Sequence, residues 1–239
     1  MRHLKYILFL SVLISLTSCL LKPDKVFIDE LDKEYQLYDY YIDSYGNEGV
    51  VAAIVSSEET SEKAIIVLSF DEEFLPWGPM GEKVYKDSIL RSGLLEPYFG
   101  VAMLQIMKSS GISRYPAQAW CDEMNKNEKY PRGGSWRLPT VRELKWIFGE
   151  NGQKVSELNS ALSRTGGAPL EVNHKYWTCV EDFAGYLVLQ DTITDFDQAN
   201  RAIVTTPQML FYTNKDRWLK KNRYYTRAIK YIYYCFDKK

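Results

Sequence analysis

Between Lys215 and Lys230 the chain places seven cationic side chains (Lys215, Arg217, Lys220, Lys221, Arg223, Arg227 and Lys230) against one acid, Asp216, with Trp218, Tyr224 and Tyr225 among them. Guanidinium forks match carboxylate and sulfate oxygens in pairs, and aromatic faces offer flat surfaces to rings. The chemistry on offer is recognition of an anionic, ring-bearing ligand. The residues expected to carry it are Lys215, Arg217, Trp218, Lys220, Lys221, Arg223 and Tyr225. A solvated loop leading into an aromatic strand has the same composition and stays open as the alternative.

Catalytic chemistry is thinly provided. His3 and His174 are the only histidines, and one His beside Tyr176 and Trp177 reads as a packed or surface residue rather than a base. Cys179 has only His174 and Lys175 nearby in sequence to lower its pKa, too little for a nucleophile. The chain has no glycine-rich phosphate loop, and no carboxylate pair stands out from its 31 acids. Asp191, Asp195 and Asp197 could offer oxygen ligands to calcium, but no sugar-binding Glu-Pro-Asn or Trp-Asn-Asp motif accompanies them. We expect no enzyme, no cofactor and no metal.

The first residues read as an address. Arg2 and Lys5 precede a short apolar run, Tyr6 to Leu16, and then Leu16-Thr17-Ser18-Cys19. A run this short suits a secretory signal better than a membrane span. Small residues before a cysteine resemble a bacterial lipobox, which implies cleavage before Cys19 and a lipid on its sulfur. A plain signal peptide or an uncleaved anchor is the alternative. Several acyl chains would hold the protein firmly to a membrane without embedding it. The expected partners are therefore the membrane, through the lipid anchor, and an extracellular glycan or envelope protein. Nucleic acid is not expected, because export separates the two. The expected location is the bacterial cell envelope, at the outer membrane.

Without Arg2 and Lys5, 28 basic side chains face 31 acidic ones, a net charge of −3; no whole-molecule field calls for a polyanion. Beyond Cys19 three cysteines remain. Cys121 lies in a helical stretch and Cys235 at the end of the last strand-like run, so these two are the expected disulfide, with Cys179 free. Three reduced thiols are the alternative.

The elements that must position these groups follow in order. Residues 1–18 are a signal peptide, 19–34 a tether, and 35–239 one domain. Val50–Val55 and Ala64–Phe70 read as a buried hairpin, closed by the loop Pro76-Trp77-Gly78-Pro79. Helices are predicted over Tyr98–Lys108, Tyr115–Met124, 140–148 and Val155–Leu162. The third begins at Thr140, whose spacing to Glu143 is that of a capping box, after Pro139 has turned Leu138 away from helical geometry. Trp136 and Leu138 should face the core, with Arg137 available to Glu143. Strands are expected at Tyr176–Val180, Gly185–Leu189 and Tyr224–Phe236. Strands, then helices, then strands, without βαβ alternation, argue an α+β fold with an antiparallel sheet.

Four pieces then stand in order: Tyr-Pro-Ala-Gln-Ala-Trp-Cys (115–121), Ser-Trp-Arg-Leu-Pro-Thr-Val-Arg-Glu-Leu (135–144), Lys-Tyr-Trp-Thr-Cys-Val-Glu (175–181) and Arg-Ala-Ile-Lys-Tyr (227–231). Together they resemble the C-terminal domain family of collagen-like bacterial adhesins. Cys179 replaces the usual serine, and Lys230 departs from the last motif. The resemblance implies a C-type-lectin-like fold with two to four helices, paired N- and C-terminal strands, and a bond between Cys121 and Cys235. It also implies glycan binding, sulfated glycans included, without catalysis.

Overall fold

The structure, a computed structural model, describes residues 35–43, 45–56, 63–84, 98–125, 134–181, 201–207 and 217–234. The fold is α+β. Among the described residues nine strands form two sheets: β1 (Tyr40–Ile42), β2 (Glu48–Ser56), β3 (Lys63–Ser69) and β9 (Ile229–Tyr234) in one, and β4 (Glu73–Pro76), β8 (Arg223–Thr226), β5 (Tyr176–Glu181), β6 (Arg201–Thr205) and β7 (Arg217–Leu219) in the other. Between β4 and β5 the described residues form four α-helices: α1 (Tyr98–Ser109), α2 (Pro116–Glu123), α3 (Val141–Phe148) and α4 (Val155–Thr165).

The first sheet is wholly antiparallel, in the order β1-β2-β3-β9. Its strand β9, from the C-terminal part of the described residues, pairs with β3 of the early β2–β3 hairpin. The unbroken apolar runs of β2 and β3 have a physical reason, because this sheet is covered on both faces. Val51, Ile65 and Val67 join a core with Trp77, Met103, Met107, Trp136 and Trp177. Val50, Ala52, Ile66 and Leu68 join another with Leu144, Ile147, Leu158 and Leu162. Helices α1 and α2 and the second sheet supply the first core, and α3 and α4 the second. A register shift between Val51 and Ala53 lets both alanines face the same side.

The 134–148 segment forms as its residues dictate. The Thr140 hydroxyl accepts from the Glu143 N–H at 3.2 Å, and the Glu143 carboxylate accepts from the Thr140 N–H at 2.7 Å. That carboxylate also holds Arg137 in a bidentate pair at 2.8 and 2.5 Å. Both side chains are buried, at 2% and 0% exposure. Burial alone would lower the Arg137 pKa, but the Glu143 charge outweighs it and raises the value well above the ordinary one. The guanidinium rests on Gly100 of α1, where a Cβ would overlap it. Helix α4 ends at Gly166, whose φ of 97° is the left-handed cap geometry that glycine adopts freely.

Three expectations need correction. The Tyr224–Phe236 run is not one strand: β8 and β9 belong to different sheets, parted by Arg227 and Ala228. The second sheet is not purely antiparallel, because β5 and β8 pair in parallel at Tyr176 and Tyr225. The expected Cys121–Cys235 bond is contradicted at its first half. Cys121 is a free thiol, Cys179 forms no disulfide among the described residues, and Cys235 lies outside them. The reason is the helix face: Cys121 turns into the core with Trp136, Leu138 and Cys179. Burial pushes its thiol far above the ordinary value. The Gly185–Leu189 strand, the tether and the leader also lie outside the described residues.

Asp43, after β1, ties the hairpin to the rest. Its carboxylate accepts from the Asn47 and Tyr45 N–H groups, the Asn47 side chain and the Trp136 indole, with the buried Lys230 ammonium at 3.5 Å. Burial alone would raise the Asp43 pKa; the bonds from Asn47 and Trp136, with Lys230, outweigh it and lower the value. The folded protein therefore binds this proton more weakly than the unfolded chain, whose carboxyl titrates near ~3.9. The stability Asp43 confers is present above about pH 4 and is lost as pH falls through its lowered folded value. We expect the stability gap between wild type and Asp43→Ala to be wide at pH 6 and to narrow below about pH 4. Urea unfolding at a series of pH values measures it; a gap constant with pH would remove Asp43 from the acid response.

Candidate functional site

The basic-aromatic run does not form one surface. Lys215 lies outside the described residues. Arg217 and Trp218 sit on β7, in register with Ile203 and Ala202. Lys220 is a core residue rather than a ligand contact. It is fully buried, its ammonium donates to the Glu82 carbonyl at 2.7 Å, and it lies 4.9 Å from the centre of the Trp77 ring. The Trp77 and Gly78 N–H groups in turn donate to the Lys220 carbonyl. Arg227 and Lys230 are buried as well. Arg227 donates to the Ser69, Phe70 and Ala168 carbonyls at 3.0, 2.9 and 2.6 Å. It thereby pins the bend between β8 and β9 to the end of β3 and the loop after α4. The pattern of charge in the sequence was real, but the fold spends much of it internally.

Among the residues of the run whose exposure is described, Lys221 and Arg223 are exposed and Tyr225 is partly so. Around them the fold gathers residues that the sequence did not single out. Phe74 of β4 is opposite Tyr225 in the β4–β8 register, and their rings are 5.1 Å apart. Phe74 is 44% exposed. The Arg223 Nε–H donates to the Phe74 carbonyl at 2.8 Å, and its guanidinium carbon lies 5.7 Å from the centre of the Phe74 ring. His174, in the loop before β5, stacks flat on Tyr225, with centroids 3.6 Å apart and planes at 7°.

A carboxylate lies at the back of this ledge. Glu72 Oε2 accepts from the Tyr176 hydroxyl at 2.9 Å and lies 3.4 Å from Arg227, while Oε1 is 3.5 Å from His174 Nδ1. Burial, together with the Glu72 charge, raises the Tyr176 pKa far beyond its ordinary value. Burial lowers that of Arg227, with Glu72 partly restoring it. These groups hold one another in place. The ledge can stack rings and pair with an anion.

Among the described residues no cluster of three His, Cys, Asp or Glu is placed to hold a metal ion, and no helix is long and apolar enough to cross a membrane. Asp191, Asp195 and Asp197 lie outside the described residues. Phe74 escaped sequence reading because β4 has only four residues, too few for alternation to show. His174 read in the sequence as a packed or surface residue, and its stacking partner became visible only in three dimensions.

No protein-family model and no curated protein matches the chain. Among solved structures, the chain is similar in fold to a fimbrial protein from Bacteroides ovatus ATCC 8483, with a TM-score of 0.55 and 12% identity. The similarity covers 83% of this chain and 49% of the fimbrial protein, so this chain spans about half of that one.

Proposed function

We propose that this chain is a non-catalytic, lipid-anchored protein of the bacterial cell envelope that works by binding, as an accessory subunit of a fimbria-like surface assembly. The observation that supports it is the fold shared over most of the chain with a fimbrial protein. The lipobox-like Leu16-Thr17-Ser18-Cys19 is consistent with that setting, since it implies tethering at Cys19. A second reading is a lectin-like domain of the collagen-like adhesin type that binds a glycan directly. The motif order from 115 to 231 and the pairing of β3 with β9 favour it.

Crosslinking in intact cells, followed by capture of the tagged full chain, separates the two. An assembly subunit brings down fimbria-like envelope proteins in fixed ratio, and Cys19→Ala abolishes both palmitate labelling and that capture. Retention on a glycan array without envelope partners would overturn the subunit reading in favour of the lectin.

A further inference from the structure

We infer that the ledge formed by Phe74, His174, Lys221, Arg223 and Tyr225 is a receptor for a carboxylate-bearing sugar ring, such as a uronic acid residue of an acidic polysaccharide. The inference rests on reading the protein as a binder, and it names the ligand class and the residues.

Three observations carry it. The Arg223 Nε–H is already committed to the Phe74 carbonyl, which fixes the plane of the guanidinium beside the Phe74 ring. No carboxylate among the described residues pairs with Arg223. Its two terminal nitrogens are therefore presented as a preset fork, the geometry that suits a planar carboxylate and that loses least entropy on binding. The exposed Lys221 stands two residues away in the turn before β8 and adds a second positive charge. Lys220, Arg227 and Lys230 of the same run are buried inside the fold, which sets this exposed pair apart from them.

The second component is apolar and flat. Among the described residues Phe74 is one of few large apolar side chains left exposed, and it leans on Tyr225, which His174 backs by stacking. The Glu72 carboxylate, 3.5 Å from His174 Nδ1, closes the loop end of this stack. An acidic peptide would satisfy Arg223 and Lys221 but would leave the aromatic surface in water. A sugar ring presents C–H groups to that surface while its carboxylate meets the fork, so both halves of the ledge are used at once.

Isothermal titration of the full-length lipid-free protein with tri-galacturonate, its fully methyl-esterified form and tri-glutamate tests the assignment. Tri-galacturonate should bind, and esterification should weaken it at least about ten-fold, the loss of one charge-assisted fork. Tri-glutamate should bind at least as weakly as the ester. Arg223→Gln and Phe74→Ala, both at exposed positions and checked for folding by circular dichroism, should each reduce affinity about ten-fold or more. Arg223→Lys should fail to restore it, because the charge returns without the fork. No binding of tri-galacturonate, equal binding of the ester or of tri-glutamate, or indifference to either substitution would overturn the inference. Envelope partners captured by crosslinking would still stand in that case, so the two readings fail separately.

Discussion

Replacing Glu143 by alanine should lower the free energy of unfolding by about 3–5 kcal/mol, because it strands a buried guanidinium. Arg137 sits at 2% exposure with Gly100 against it, and its charge is met by one carboxylate. The same carboxylate caps α3 through the Thr140 N–H, and loss of a helix cap adds about 1 kcal/mol. Removing both charges at once should cost less than removing either. In Arg137→Met/Glu143→Leu neither ion is left unpaired, and apolar pairs of similar volume often replace buried ion pairs with little loss. Urea unfolding of the two single variants and the double variant gives the coupling. If Glu143→Ala loses under about 1 kcal/mol, the pair is not what holds this segment.

Trp77→Ala should cost a similar amount, about 3–5 kcal/mol. The indole is fully buried between α2 and the second sheet. Its Nε1–H donates to the Thr178 carbonyl of β5 at 2.8 Å, and its edge meets the Tyr115 ring at 87°. The Lys220 ammonium lies over its face. Truncation leaves a cavity, an unsatisfied carbonyl and a buried cation with one support fewer. Trp77→Phe keeps most of the ring and should lose about half as much, chiefly through the missing hydrogen bond. A thermal melt that placed Trp77→Ala within a degree or two of wild type would contradict this account.

These two sites differ in how far they could be read from the chain. The 136–148 segment was legible almost to the atom, because a capping box and an Arg–Glu pair six residues apart are local events. The hairpin of β2 and β3 was equally plain, since a sheet buried on both faces leaves an unbroken apolar run. The C-terminal third was not legible. Lys220, Arg227 and Lys230 look like solvent-facing charge in one dimension, yet each finds its acceptors far away, in Glu82, Ser69 and Asp43. The break between β8 and β9 had no glycine or proline to announce it. The guanidinium of Arg227, holding three distant carbonyls, anchors the chain there. Phe74 and His174 entered the candidate site for the same reason, as neighbours of Tyr225 created only by the pairing of β4 with β8 and the path of the loop before β5.

The place of β9 beside β3 also bears on when this protein can fold. Ala228 donates to the Ser69 hydroxyl across 159 residues of chain, and β3 pairs with β9 from Leu68 to Lys63. Until β9 has arrived, the apolar strand β3 carries an unpaired edge, the kind of edge that invites pairing with other chains. Closing so long a loop is entropically costly and slow. The first sheet is therefore completed only after β9 has been made and has reached β3. During that interval the open β3 edge is the part of the first sheet most exposed to pairing with other chains.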